Sequence, residues 1–307
     1  MLAAGVQELA AAVETIDLPD PRPLAGDEVL IEVRAAGVAN WDELVRTGQW
    51  DVGRIPPMAL GVAAAGVIAA VGEAVGNWKE GDEVLTHPLP LRDQGTWAPS
   101  LIAPAALLAR KPDTVSWEVA AAFPVPALTA AQVIDEALGI HADDVVLIHG
   151  GGGVTGGVLV SLAVVRGAEV IATASPANHE RLSRLGASHV LDYHDPGWPE
   201  EARALGGTSG VSAAVNAAPG GSADAIRTVR DGGRLATITL DPPSEERGIA
   251  ISSVIVRADG PTLGAMAELL AAGKLDISVT ATYPLEEAGS ALARAVAGGG
   301  GAVALRP

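Results

Sequence analysis

Cysteine is absent from all 307 residues. With it go disulfide staples, a thiolate nucleophile, a dithiol redox centre and sulfur ligands for zinc. Aromatic residues are scarce at 3%, with one phenylalanine set against six tryptophans. Positive charge is short too: 20 Lys and Arg face 37 Asp and Glu, a formal charge of -17. Such a chain repels polyanions, which argues against nucleic acid or an anionic membrane face as a partner. No apolar stretch of about 20 residues escapes interruption by charge or glycine, so no membrane span is expected. The opening MLAAGVQELAAAVETIDLPDP carries Gln7, Glu8 and Glu14 and lacks a basic start. It does not read as a secretory leader, and a cytoplasmic location is expected.

What is present is apolar and ordered in rhythm. At 49% hydrophobic residues the chain is globular, and its length gives room for about two domains. Up to about residue 116 short strand-like runs such as EVLIEVRAAG, GVAAAGVIAAVG and DEVLTHPLP alternate with Pro and Gly signals. After Pro124 short β-branched runs alternate with helix-like stretches: VVLIH then 156 to 166, EVIAT then 177 to 185, HVLDY then 199 to 205, AAVNA then 222 to 229, and RLATIT. That alternation predicts an α/β fold with a doubly wound parallel sheet.

Six glycines stand between Gly150 and Gly157, interrupted only by Val154 and Thr155. Gly151, Gly153 and Gly156 give the spacing G-x-G-x-x-G, weak alone in so glycine-rich a chain. The context strengthens it, because VVLIH reads as a strand and GVLVSLAVVRG as a helix. There the first glycine permits a turn, the second lets pyrophosphate oxygens approach the backbone, and the third lets helix and strand pack closely. The amides of Val154 and Thr155 would then face the anion at the positive end of the helix.

The end of the next strand bears on which dinucleotide is bound. An Asp or Glu there normally grips the adenosine ribose of NAD, but Ala174 to Asn178 contains no acid. Ser175 and Asn178 can donate hydrogen bonds to a 2′-phosphate, and Arg181 can add charge. Tyr193 has two equal readings, a face for the adenine edge or a surface residue at a strand end. NADP(H) is the expected cofactor. Asn216 and Ala217, Thr239 and Leu240, and then Val256 follow strand ends that border the ligand crevice of such sheets. His149, beside the turn, reads as a residue with a local hydrogen bond.

Taken in order, GDEVLIEVRAAGV, GVIAAVGEAVGNWKEGDEV, GTWAPSLIAPAALLARKP, AAAFPVPALTAAQVI, the glycine turn, RLGASHVLDY, VRDGGRLATI, ADGPTLGAMAELLAAGKL and PLEEAGSALARAVAGGGGAVAL make the chain resemble the medium-chain dehydrogenase/reductase superfamily. Within it the similarity is to the zinc-independent quinone oxidoreductase branch. The resemblance implies a GroES-like β-rich catalytic domain over 1–116, completed by 258–307, and a Rossmann NADP-binding domain over 117–257. It also implies a homodimer that pairs a late Rossmann strand, within IAISSVIVR, across a two-fold axis.

Zinc members of the superfamily carry Cys where this chain has Ala39 and a His-Glu pair where it has Val62 and Ala63, so no metal is expected. The implied reaction is hydride transfer from NADPH to a quinone or an α,β-unsaturated carbonyl, a small apolar conjugated substrate. Thr129 matches the position whose hydroxyl faces the nicotinamide. Asn40, Asp42 and His87 are the other catalytic candidates. Asp42 reads equally well as a backbone-bonding structural residue, and a loop histidine such as His87 is more often inert. Leu44 stands where enoyl-reducing relatives carry a Tyr acid, and Asn178 and Ala302 replace common lysines. Trp41, Trp50 and Trp97 offer flat faces for an apolar pocket, with core packing the default reading of any one of them. Two other readings compete: a tailoring enzyme that reduces or cyclises a specialised metabolite, and an NADPH-binding protein without turnover.

Overall fold

The computed structural model describes residues 1–298 and 301–307. It divides into two compact units. One holds Met1–Leu128, Arg257–Ala271 and Ile277–Pro307, the other Thr129–Val256 and Ala272–Asp276. The first unit continues beyond residue 116 because helix Trp117–Ala122 packs on strand Glu28–Val38. The junction lies inside helix Pro124–Ala131.

The first unit is built on strand Glu28–Val38, whose alternate residues Val29, Ile31 and Val33 are buried. That two-residue period is what one buried sheet face demands. The strand pairs antiparallel with Ala64–Val71, Ser100–Pro104 and Ala302–Arg306 in a seven-stranded sheet. Leu2–Val6, Glu14–Asp17 and Met58–Ala59 form a smaller sheet of three. Trp97 is fully buried in this unit and donates from Nε1 to the Gly37 carbonyl at 3.0 Å. It is therefore a core residue, the default reading of any one of these tryptophans.

In the second unit the strands, numbered for this unit alone, are β1 (Val145–His149), β2 (Glu169–Ala174), β3 (His189–Asp192), β4 (Val211–Asn216), β5 (Val229–Thr237) and β6 (Ala250–Ser253). Helices α1 (Val154–Val165), α2 (His179–Arg184), α3 (Trp198–Leu205) and α4 (Ser222–Thr228) connect them. All pairings are parallel and the spatial order is β3-β2-β1-β4-β5-β6. This is the dinucleotide-binding Rossmann order, in which the chain switches direction between β1 and β4. The α/β alternation expected after Pro124 is present, with helix starts moved by one or two residues in most cases.

Parallel strands covered on both faces should be apolar throughout. Val146, Leu147 and Ile148 in β1 have no exposed surface, and neither do Ala213, Ala214 and Val215 in β4. Leu147 packs in one core with Ile171, Trp198, Val211 and Leu235. Each such Leu or Ile contributes about 1.5–3 kcal/mol by leaving water. This packed centre fixes where the carboxyl ends of β1, β2, β4 and β5 emerge. Among the described residues no helix is long and apolar enough to cross a membrane.

Candidate cofactor site and its surroundings

The glycine turn joins β1 to α1 without a spare atom. Gly150 has φ +87°, the left-handed region that side chains rarely enter. The tight turn is thus made by Gly150, one residue before the Gly151 expected to make it. A Cβ on Gly156 would stand 2.1 Å from the Gly150 carbonyl oxygen, so the helix can dock on the turn only if that position is glycine. Gly153 differs: a Cβ there would meet only the Gly150 oxygen, at an ordinary 3.5 Å. No side chain caps α1 at Gly153. The first-turn amides, including those of Val154 and Thr155, therefore lack intrahelical partners and form a bare anion-binding edge.

Arg181, on α2, is tied to this turn. Its Nη2 donates to the Gly152 carbonyl at 2.7 Å, and a Cβ on Gly157 would lie 2.7 Å from its Nη1. The guanidinium expected to serve a 2′-phosphate thus holds the turn's own backbone. Asn178 donates from Nδ2 to Ser175 Oγ at 3.2 Å and lies against Gly152, so the residues expected to meet an adenosine phosphate flank the turn. Tyr193 is 47% exposed beyond β3. Asp192, which the sequence reading passed over, sits in register with Ala174. The His194 backbone N–H keeps its carboxyl below the usual carboxylate range.

On the other side of the turn, His149 Nδ1 is 2.7 Å from Thr173 Oγ1, and the ring stacks on Trp198 with centroids 4.5 Å apart. Burial lowers its pKa, so it is a neutral ring with a local hydrogen bond. Beyond it, Asn216 and Thr239 come together with Ser222, Thr237 and Asp241, three residues that sequence reasoning missed. Asn216 Nδ2 lies 2.9 Å from Ser222 Oγ and 2.7 Å from Thr239 Oγ1. Burial pushes the Asp241 carboxyl up, but the Thr239, Thr237 and Ser222 hydroxyls outweigh it and hold the group below its ordinary value. Ala217 donates its N–H to the His149 carbonyl at 2.8 Å. Val256 lies past β6, partly exposed.

The catalytic candidates of the first unit are differently placed. Asn40 is exposed at the start of helix Asn40–Arg46. Asp42 accepts from the Ala39 N–H at 2.8 Å through Oδ2, while Oδ1 is buried without a partner. Burial pushes its carboxyl up to about 7. His87 Nδ1 lies 2.6 Å from the Val62 carbonyl, so that nitrogen carries the proton. Nε2 is then a lone pair, buried and without a partner, and burial drives the ring down to about 4. At neutral pH this histidine has no proton on Nε2 to give. Trp50 lies 6.2 Å from its ring. Thr129 belongs to the second unit and is 7% exposed.

Asp42 makes a titration prediction. Its pKa is raised in the folded state above the ordinary 3.8, so its contribution to stability is complete below about 4 and is lost as pH rises through 7. The loss approaches about 1.4 kcal/mol per pH unit across that window. Asp42→Asn keeps an oxygen for the Ala39 N–H and removes the titration. Chemical denaturation between pH 5 and 8 should therefore show wild-type stability falling more steeply than that of Asp42→Asn. Equal slopes would place Asp42 in a solvated site.

Zinc does not fit these residues. Ala39, Val62 and Ala63 offer no donors, and among the described residues no group of three His, Cys, Asp or Glu side chains is placed to hold an ion. A dinucleotide does fit: an uncapped helix start, an open Gly153 and a turn that only glycine can make.

Residues 25–113 match the alcohol dehydrogenase GroES-like domain, and 185–299 match the zinc-binding dehydrogenase domain. Erythronolide synthase EryA2 of Saccharopolyspora erythraea is 37% identical over 71% of this chain and 6% of its own length. The chain spans from 6% to about half of the length of the curated relatives it matches. Among solved structures, an NAD-dependent alcohol dehydrogenase is 29% identical at a TM-score of 0.89, covering 100% of both chains. A mycobacterial quinone oxidoreductase is 28% identical at 0.84, again over 100% of both. A mycobacterial protein solved with NADPH is 28% identical at 0.85 over 100% of both. CurK enoyl reductase is 25% identical at 0.85, covering 99% of this chain and 98% of its own.

Proposed function

Because the chain belongs to the medium-chain dehydrogenase/reductase superfamily, we propose that it is a zinc-independent, NADPH-dependent reductase of a quinone or an α,β-unsaturated carbonyl. The observation that carries this reading is the turn between β1 and α1, where Gly153 leaves the backbone open to a pyrophosphate. The Val154 and Thr155 amides bind the pyrophosphate, and Ser175 and Asn178 meet the 2′-phosphate beside Gly152. Bound there, the dinucleotide supplies hydride to the conjugated acceptor. The enoyl reductase and the quinone oxidoreductase among the similar structures support an acceptor of this electronic class.

The Thr129 hydroxyl orients the nicotinamide end. Leu44 offers no acid, and the proton on His87 is committed to Val62, so the reduced acceptor takes its proton from water. Asp42 holds the start of its helix through the Ala39 N–H, and Asn40 stands exposed beside it. Two copies pair through β6, one of the two edges of the parallel sheet, and Ile255, just past the strand, is 62% exposed. Such pairing satisfies an open edge.

The test is turnover. NADPH absorbance should fall when a simple quinone or a conjugated enone is added, and C4-deuterated NADPH should leave deuterium on the β-carbon of the reduced enone. NADPH left intact by every such acceptor, or a product at the oxidation level of its substrate, refutes the reading.

A further inference from the structure

The polar knot at the carboxyl ends of β4 and β5 is more than strand-end packing needs. One carboxylate oxygen, Asp241 Oδ1, takes Thr239 Oγ1 at 2.5 Å, Thr237 Oγ1 at 2.9 Å, Ser222 Oγ at 3.0 Å and Asn216 Nδ2 at 3.2 Å. Among the described residues the other oxygen, Oδ2, has only the Ser222 N–H, at a long 3.4 Å. Asp241 is partly exposed, so this second oxygen has acceptor capacity left over. Leu240, just before it, is held at φ +60° and 59% exposed, a conformation and exposure that leucine rarely takes. Strain of this kind collects where a site needs a side chain aimed.

The knot adjoins the glycine turn through continuous contacts. A Cβ on Gly150 would lie 2.9 Å from the Ala217 carbonyl carbon and 3.0 Å from the Ala218 nitrogen. Ala218 donates its N–H to Asn216 Oδ1 at 3.2 Å, and Asn216 reaches Asp241. A dinucleotide whose phosphates rest on the turn therefore has one half over β2 and the other over β4 and β5. The β2 side has no acid between Ala174 and Asn178, whereas the β5 side has Asp241. A lone carboxylate repels phosphate and supplies too few ligands for a metal ion, but accepts readily from sugar hydroxyls.

We infer that Asp241 Oδ2 accepts a hydrogen bond from a ribose hydroxyl on the nicotinamide half of the cofactor, and that the surrounding hydroxyls lock the carboxylate in place for it. This rests on the dinucleotide reading above. Asp241 is then a positioning residue, which sets how the nicotinamide presents itself.

Asp241→Asn keeps one oxygen for the knot and replaces the free one with a donor. Asp241→Glu keeps the charge and displaces it. Calorimetric titration of wild type and both variants should use NADPH and, separately, 2′,5′-ADP, the adenosine half without the second ribose. Each variant is expected to lose about tenfold or more in NADPH affinity, while 2′,5′-ADP affinity and the melting temperature hold near wild type. NADPH affinity unchanged in either folded variant overturns the assignment, as does an equal loss for both ligands, which marks a structural knot only. Wild type that binds neither ligand overturns the dinucleotide reading itself, a failure distinct from these two.

Discussion

Gly153→Ala is expected to weaken NADPH binding at least tenfold, about 1.4 kcal/mol, while the protein melts within about 2 °C of wild type. The fold does not need glycine at this position. Its φ of -71° and ψ of 171° suit any residue, and the added methyl would meet only the Gly150 oxygen at 3.5 Å. What the methyl does occupy is the approach to the helix amides. Gly156→Ala is the contrasting case, because its methyl would stand 2.1 Å from a backbone oxygen and 2.8 Å from the Gly151 Cα. Overpacking against backbone on that scale should cost about 3 kcal/mol or more in stability. The two neighbours in one motif thus separate ligand from fold, by titration calorimetry on one side and thermal melting on the other. Undiminished NADPH affinity in Gly153→Ala would remove the phosphate from this turn.

The second large effect concerns cofactor choice. Ser175→Asp should lower NADPH affinity about a thousandfold and leave NADH affinity the same or better. A carboxylate about 4 Å from a phosphate costs roughly 4 kcal/mol at the effective dielectric of a protein surface, more than the hydrogen bond that serine loses. In wild type two features oppose each other. Asn178 donates to Ser175 beside Gly152, which leaves the Ser175 hydroxyl proton and the second Asn178 N–H for a phosphate, whereas Asp192 brings a negative charge in register with Ala174. Asp192 has both the N–H of His194 and its Nδ1 as partners, at 3.0 and 2.6 Å. Both fall on Oδ1, which leaves Oδ2 able to accept from a ribose hydroxyl, so the preference rests on the Ser175 and Asn178 donors, and NADPH is expected to bind about tenfold or more tighter than NADH in wild type. Competition titrations of wild type and variant with the two cofactors measure this, and tighter binding of NADH by wild type contradicts it.

Much of the second unit was legible in the chain because its signals are local. Strand, glycine turn and helix follow one another within twenty residues, and apolar runs such as VVLIH can only be interior strands. The Asp241 knot was not legible. Asn216, Ser222, Thr237, Thr239 and Asp241 meet only because β4 and β5 are neighbours in the sheet, and nothing in a leucine announces the left-handed backbone at Leu240. Arg181 was read as a ligand-facing charge because α2 follows the adenosine strand. Which way its side chain turns depends on the bare Gly157 surface across from it. The burial of His87 and Asp42 has the same origin: two polar residues beside strand or helix ends look accessible in the sequence, and only the folded unit buries them.

Hydrogen–deuterium exchange of the 150–157 segment, with and without saturating NADPH, tests the central claim most directly. Slowed exchange is expected at the amides of Val154, Thr155 and Gly156, and clearly weaker protection in Gly153→Ala when both proteins are compared at an NADPH concentration near the wild-type Kd. Exchange there that NADPH leaves unchanged, while protection shows elsewhere in the chain, would contradict it.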